Sequence, residues 1–342
     1  MNRPTRSIVR RAALLLAVAT AMAGCQNAGA DDEFPTEDLR LTVPFTAGGG
    51  FDAQARAIAP YIEKNLDGSP TIIVDNQPGG DGLQAIQQVY GEEGDGHTLV
   101  QVGLASAIIQ QYVNPDLVRY DVSEFSWIGR YQQDVRGLAV DPALGIETWD
   151  DFLALAEERP IRFGGSGAGS PPSAEAVAIS EVLDFPAEVI EYPGSNEVLG
   201  AFIRDEVDAV MLNYTSLMPW QADGDADILL LWADEREQRV PDVPTAVEAG
   251  VPQEDYDHLM SLPLIGTARA LAAPPGTPEE HVEALREAFD AAMQDEEFVS
   301  YTEEPTADII YAPMPGDEFE QFVQDQMTAV EENLDLMSRL YG

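Results

Sequence analysis

The chain has 342 residues, 45% of them hydrophobic, and 61 acidic against 18 basic side chains give it a formal charge of −43. That apolar fraction supports a sizeable core and excludes wholesale disorder. The charge excludes nucleic-acid binding and attraction to an anionic lipid surface, because nothing here could neutralise phosphates in number. Length predicts two domains or one large α/β unit. Lys64 is the single lysine. A surface so acidic and lysine-poor reads as one adapted to molar salt, where the screening length falls to about 3 Å.

Arg3, Arg6, Arg10 and Arg11 precede the 12-residue apolar run Ala12 to Ala23. The run is too short to span a bilayer but has the length of a signal-peptide core. It ends at Gly24-Cys25, and Cys25 is the only cysteine. The pattern resembles a lipobox, so residues 1–25 are expected to be a lipoprotein signal ending at a lipidated Cys25, with 26–36 as a polar tether. Cleavage would remove four arginines and no acid, moving the charge from −43 to −47.

Strand and helix then alternate. Leu39 to Phe45 reads as a strand, broken by Thr46-Ala47-Gly48-Gly49-Gly50, and Phe51, Ala55, Ile58, Ala59 and Ile62 follow at helical spacing. Thr71 to Val74, Thr98 to Leu104, Gly137 to Asp141 and Ile161 to Phe163 read as strands. Leu83 to Tyr90, Ala105 to Tyr112 and a segment from Trp149 read as helices. After Gly164 to Pro172 a helix runs through Leu183. Strands near Val189, Val207 to Leu212 and Ile228 to Trp232 alternate with helices around Leu199 and Met218. Leu271 to Ala273 reads as a strand, Thr277 to Met293 as a helix opened by Thr277-Pro278-Glu279-Glu280, and Glu318 to Leu340 as one long terminal helix. Strand, glycine loop and helix repeated in this way predict parallel βαβ units in an open α/β sheet.

Glycine loops after strands put helix starts at the carboxyl edge of the sheet, where free N–H groups and the helix dipole can hold an anion without a basic side chain. Gly48 to Gly50 and Gly165 to Gly169 are two such loops; either could equally be a tight turn needing positive φ. Asp52 is expected to cap the first turn of its helix, and Ser166 and Ser170 are either caps or hydroxyl donors. No lysine follows either loop, so there is no phosphate-binding P-loop. Gly164 to Ala168 falls one residue short of G-x-S-x-G, which leaves a hydrolase using Ser166 as a rival, with a base drawn from His97, His258 or His281. Asp223, Asp225 and Asp227 mimic a calcium loop, but Ile228 replaces its glycine. No metal or cofactor site and no catalysis are expected.

The ordered motif string resembles the solute-binding receptors of tripartite tricarboxylate transporters, the Bug-type family. It comprises Val43-Pro44-Phe45-Thr46-Ala47-Gly48-Gly49-Gly50-Phe51-Asp52 with Ala55-Arg56, Val74 to Gly82, Gly94 to Leu99, Gly167 to Ser170, Tyr192 to Ser195, Arg239 to Gly250 and Ala273 to Pro278. The resemblance implies a two-lobed periplasmic-binding-protein fold (type II-like), with mostly parallel sheets, flanking helices and two crossings between lobes. Lobe one would be 37–136 plus 269–342, and lobe two 137–268. It also implies a small organic carboxylate (di- or tricarboxylate, or aromatic acid) held between the lobes by main-chain N–H groups and water. Transporter membrane subunits would be the partners of a monomer lipid-anchored on the outer face of the cytoplasmic membrane. The expected ligand residues are Gly48, Gly49, Gly50, Asp52, Ser166, Gly167, Gly169 and Ser170, with Asn76, Gly80, Ser106, Ser195 and Asn213 as further candidates. Ser173 stands where relatives often carry histidine, and Pro193 where they often carry a polar residue. A non-catalytic surface scaffold is the remaining alternative.

Overall fold

The computed structural model describes residues 34–341 apart from 81, 167–169, 193–194, 267, 305–306 and 308. The expected signal segment, Cys25, Gly167 and Gly169 lie outside the described residues. The first run of elements is β1 (Leu39–Val43), α1 (Gly50–Glu63), β2 (Ile72–Asn76), α2 (Leu83–Tyr90), β3 (Thr98–Gly103), α3 (Leu104–Val113) and β4 (Ser126–Gln133). The second is β5 (Arg136–Val140), α4 (Trp149–Glu158), β6 (Ile161–Gly165), α5 (Pro171–Val182), β7 (Ala187–Glu191), α6 (Ser195–Ile203), β8 (Ala209–Asn213), α7 (Tyr214–Asp223), β9 (Asp227–Trp232), α8 (Ala246–Ala249) and α9 (Gln253–Ser261). The chain then returns through β10 (Ala268–Ala273), α10 (Glu279–Met293), α11 (Glu296–Thr302), β11 (Tyr311–Pro315), α12 (Gly316–Glu332) and α13 (Leu334–Tyr341).

Two sheets result, in the orders β11-β4-β10-β3-β1-β2 and β7-β6-β8-β5-β9, and they are the centres of two lobes. The apolar alternation explains the parallel parts. Leu41 of β1 sits level with Val74 and Leu99, and the helices between these strands supply the crossovers. Ala55, Ile58, Ala59 and Ile62 of α1 are all buried, as a helical stripe requires. Both sheets are nevertheless mixed rather than mostly parallel. β10 runs antiparallel to β3 and β4, and β5 runs antiparallel to β8 and β9. The strands that enter each sheet from the other lobe arrive against the grain of the βαβ units.

β4 and β11 were not legible as strands. Arg130, Gln132 and Gln133 break the apolar pattern of the former. Pro313 and Pro315 interrupt the latter, which is tolerable only because β11 is an edge strand. Thr277 does not cap α10, since its hydroxyl donates to the Pro274 carbonyl instead. The terminal helix is two helices. Asn333 leaves the helical region at φ −117° and donates its side-chain amide to the Ala329 carbonyl, and α13 then turns so that Met337 is fully buried.

The first crossing between sheets passes through Asp134 and Val135, and the second lies between α9 and β10. Arg136, grouped with lobe one from the sequence, opens β5 of the second sheet, and Ala268 opens β10 of the first. The C-terminal helix belongs to neither lobe alone: α13 packs on both α3 and α5, and Arg339 pairs with Glu181 of α5 at 2.7 Å. One apolar cluster runs through this junction, from Ile86, Val102 and Ile108 to the Trp149, Phe152, Phe163 and Phe185 aromatics of the second lobe.

Candidate functional site

Because β1, β2 and β3 are parallel, the starts of α1, α2 and α3 meet at one carboxyl edge, the usual place for a ligand crevice in such sheets. A cavity of about 200 Å³ opens there. Lobe one contributes Pro44, Phe45, Phe51, Gly82, Ile86 and the α3 start with Ser106, Ile109 and Gln110. Arg136, Pro171 and the Pro263–Gly266 turn close it from the second lobe and its return segment, and Tyr341 of α13 closes one end. Phe45 and Phe51 pack with ring centroids 4.4 Å apart. Gly266 must be glycine, since its φ is +77° and a Cβ would lie 2.3 Å from the Asp134 carbonyl oxygen.

A polar network runs across the junction behind this cavity. Arg269 donates to the Gln54 side chain at 2.8 Å, lies 4.2 Å over the Phe51 ring and faces Asp134 at 3.8 Å. Asp134 accepts from Gln132 at 2.6 Å and from Asn213 at 3.3 Å. Asn213 in turn accepts from Arg136 Nη1 at 2.8 Å, and Arg136 Nε donates to Glu175 Oε1 at 2.7 Å. Glu175 has no exposure, and its Oε2 meets no hydrogen-bond partner among the described residues. Burial pushes its carboxyl up to about 7, although the Arg136 charge favours the ionised form. Burial works against the Arg136 charge as well, and the neighbouring Glu175 and Asp134 outweigh it.

Gly48, Gly49 and Gly50 lead into α1 but do not line the cavity, which begins beside them at Phe45 and Phe51. Asp52 does not cap the first helical turn. It accepts from the Gly48 N–H, ahead of the helix, at 2.8 Å and from Arg56 Nε at 2.9 Å, and these two donors hold its carboxyl below the usual range, Arg56 foremost. The N–H groups of Gly50, Phe51 and Asp52 therefore have no partner among the described residues. The second loop differs. Pro171 and Pro172 open α5 without N–H groups, and Ala174 bonds back to the Ser170 carbonyl. Ser170 Oγ lies 2.9 Å from Ser173 Oγ, which donates to Glu191 at 2.9 Å.

Ser166 directly follows β6 and is not among the residues that line the cavity. Asn76 ties the first loop together, donating to the Phe45 carbonyl and accepting from Arg56. Gly80 turns the chain at φ +60°, ahead of α2. Ser106 and Asn213 are the further candidates that reach the cavity and its network. Ser195 opens α6. His97 precedes β3 and His281 stacks on Phe34, both at the opposite end of the first sheet from the cavity, and His258 is on α9. None of the three bonds Ser166, and among the described residues no His, Cys, Asp and Glu group could hold a metal. Arg136, Phe45 and Phe51 were missed as site residues. The available signal was a basic residue at the lobe crossing of a chain with only 18 of them.

Two α/β lobes joined by two crossings, with a cavity walled by both, define a periplasmic-type binding protein. The profile of the tripartite tricarboxylate transporter family receptor matches residues 54–335, and the chain belongs to that family. It is similar to a UPF0065 protein of Cupriavidus necator, at 28% identity over 294 residues and 84% of each chain. Its fold matches a TctC solute-binding protein from Polaromonas with a TM-score of 0.73 at 23% identity, over 87% of this chain and 99% of that one. It also matches MatC of Rhodopseudomonas palustris, solved with bound malate, with a TM-score of 0.65 at 24% identity over 89% and 100%. Receptors of this family work outside the cytoplasmic membrane. No helix among the described residues is long and apolar enough to cross one.

Proposed function

We propose that this chain captures a small organic carboxylate between its lobes and delivers it to the membrane subunits of a tripartite tricarboxylate-type transporter, as a monomer and without catalysis. The observation that carries this reading is the cavity at the junction, aimed at by three helix starts and touched by one guanidinium. Malate in the MatC relative supports the ligand class. Gly48 to Gly50, beside the cavity wall, reach the ligand through water with the free N–H groups of α1, and Ser166, Gly167, Gly169 and Ser170 approach it from the other lobe, directly or through water. Asp52 orders the first loop and does not touch an anion. Cys25 carries the lipid.

A thermal-shift panel of carboxylates, amino acids, sugars and esters tests the function. A specific ligand stabilises the fold by about 2.7 kcal/mol at a hundredfold excess over Kd. Stabilisation by carboxylates without turnover is expected; ester cleavage lost in Ser166→Ala would favour the hydrolase instead. Acylated Cys25 in membrane-extracted protein, and release of Cys25→Ser into the soluble fraction, test the anchor.

A further inference from the structure

We propose that the cleft takes a ring-sized monocarboxylate, whose carboxylate sits on Nη2 of Arg136 and whose apolar body packs on Phe45, Phe51, Ile86 and Ile109. The proposal rests on the receptor reading and names the ligand class within it.

Arg136 is the only charged residue among the described residues lining the cavity. Its side chain is 11% exposed. Two of its nitrogens are committed, Nε to Glu175 and Nη1 to Asn213, while Nη2 has no acceptor among the described residues. These bonds come from two elements, α5 and β8, so the guanidinium plane cannot swing and its remaining donor edge is held for an incoming oxygen. Glu175 does not cancel the charge completely near neutrality, since burial keeps part of that carboxyl protonated.

The rest of the wall sets the ligand's body and its charge. The Phe45 and Phe51 rings, Ile86, Ile109, Pro171 and Leu264 offer carbon. A cavity of about 150 Å³ with such a lining accepts a benzene ring, and about 200 Å³ here leaves room for one carboxylate more. Within this cavity a second or third carboxylate would meet carbon and the uncharged Ser106 and Gln110 side chains rather than a second cation, which is unfavourable. Arg269 cannot serve, because it is held over the Phe51 ring and on Gln54.

Calorimetric titration of the full chain in molar chloride decides the matter, with benzoate and cyclohexanecarboxylate set against benzamide, malate and citrate. Both monocarboxylates are expected to bind at least about tenfold tighter than the neutral amide and than the two multiply charged acids. Arg136→Gln combined with Glu175→Gln removes both charges together. It is expected to weaken benzoate roughly 10- to 150-fold, the range of a lost charge-assisted hydrogen bond, and to erase the preference for benzoate over benzamide while benzamide binding stays put. If that double variant does not fold, Arg136→Lys with Glu175 intact replaces it; benzoate affinity should fall while the preference for the anion survives. Benzoate affinity unchanged in whichever variant folds overturns the anchor. Tighter binding of malate or citrate than of either monocarboxylate overturns the ligand class and leaves the receptor standing. Binding by none of the carboxylates, with a sugar or amino acid bound instead, overturns both.

Discussion

Replacing Glu175 with glutamine should stabilise the protein at alkaline pH, although it removes half of a buried ion pair. The carboxyl has no exposure, faces Arg136 with Asp134 and Tyr341 nearby, and titrates at about 7 against an ordinary 4.5. An acid whose folded value is raised holds its proton more tightly when folded. Its favourable contribution is therefore complete below about pH 4.5 and lost as pH rises through about 7. That difference corresponds to about 3 kcal/mol. Glutamine mimics the protonated acid and has no such dependence. Wild type and Glu175→Gln should match within about 1 kcal/mol near pH 5, and the variant should be about 3 kcal/mol more stable above about pH 8. Denaturant unfolding followed by tryptophan fluorescence, at several pH values and one fixed high salt, measures this; the other acids titrate alike in both proteins and cancel in the difference. If the ionised pair were a net gain, the variant would instead lose about 3–5 kcal/mol at high pH. Parallel stability curves, or a variant weaker at pH 8, would refute the reasoning.

Asp208 should behave in the opposite sense. Burial alone would raise its carboxyl, but bonds from Arg159 and Arg162 at 2.5–3.1 Å outweigh it and hold the group far below the usual range. Its contribution is present above about pH 4 and fades on acidification. Asp208→Asn should cost about 2–3 kcal/mol in chemical unfolding, discounted because both guanidiniums are more than a third exposed. Thermal midpoints should climb from dilute buffer to molar chloride, because screening relieves repulsion among the excess acids; a flat or falling trend would remove the salt-adapted reading. Gly48→Ala should cost about 1–2 kcal/mol because φ is +82° there, whereas Gly49→Ala, at φ −83° and 3.3 Å from the Thr46 carbonyl oxygen, should cost less and report on ligand approach. Equal melting temperatures for the two variants would contradict the assigned loop conformation.

Much of the fold was legible because local patterns carry it. The strand at Leu39, the stripe of α1 and the bounds of α2 follow from periodicity and glycine punctuation alone, since each element buries one face against its own βαβ neighbours. The loops at Gly48 and Ser166, and the order of the motifs around them, likewise carry the resemblance to the receptor family in the sequence alone. What no local pattern could decide is how distant segments combine. β4 and β11 are polar or proline-bearing and exist only because the first sheet supplies partners for their backbone groups. The antiparallel strands of each sheet depend on chains returning from the other lobe, and α13 bends away at Asn333 to cover a seam made by both lobes. The site divides along the same line. Helix starts with free donors can be read from strand–glycine–helix order, which is why Gly48 to Gly50 stood out. Arg136, by contrast, acquires its role from Glu175, 39 residues on, and Asn213, 77 residues on. Long-range packing alone turns an ordinary arginine at a strand start into a buried, oriented cation at the cavity wall.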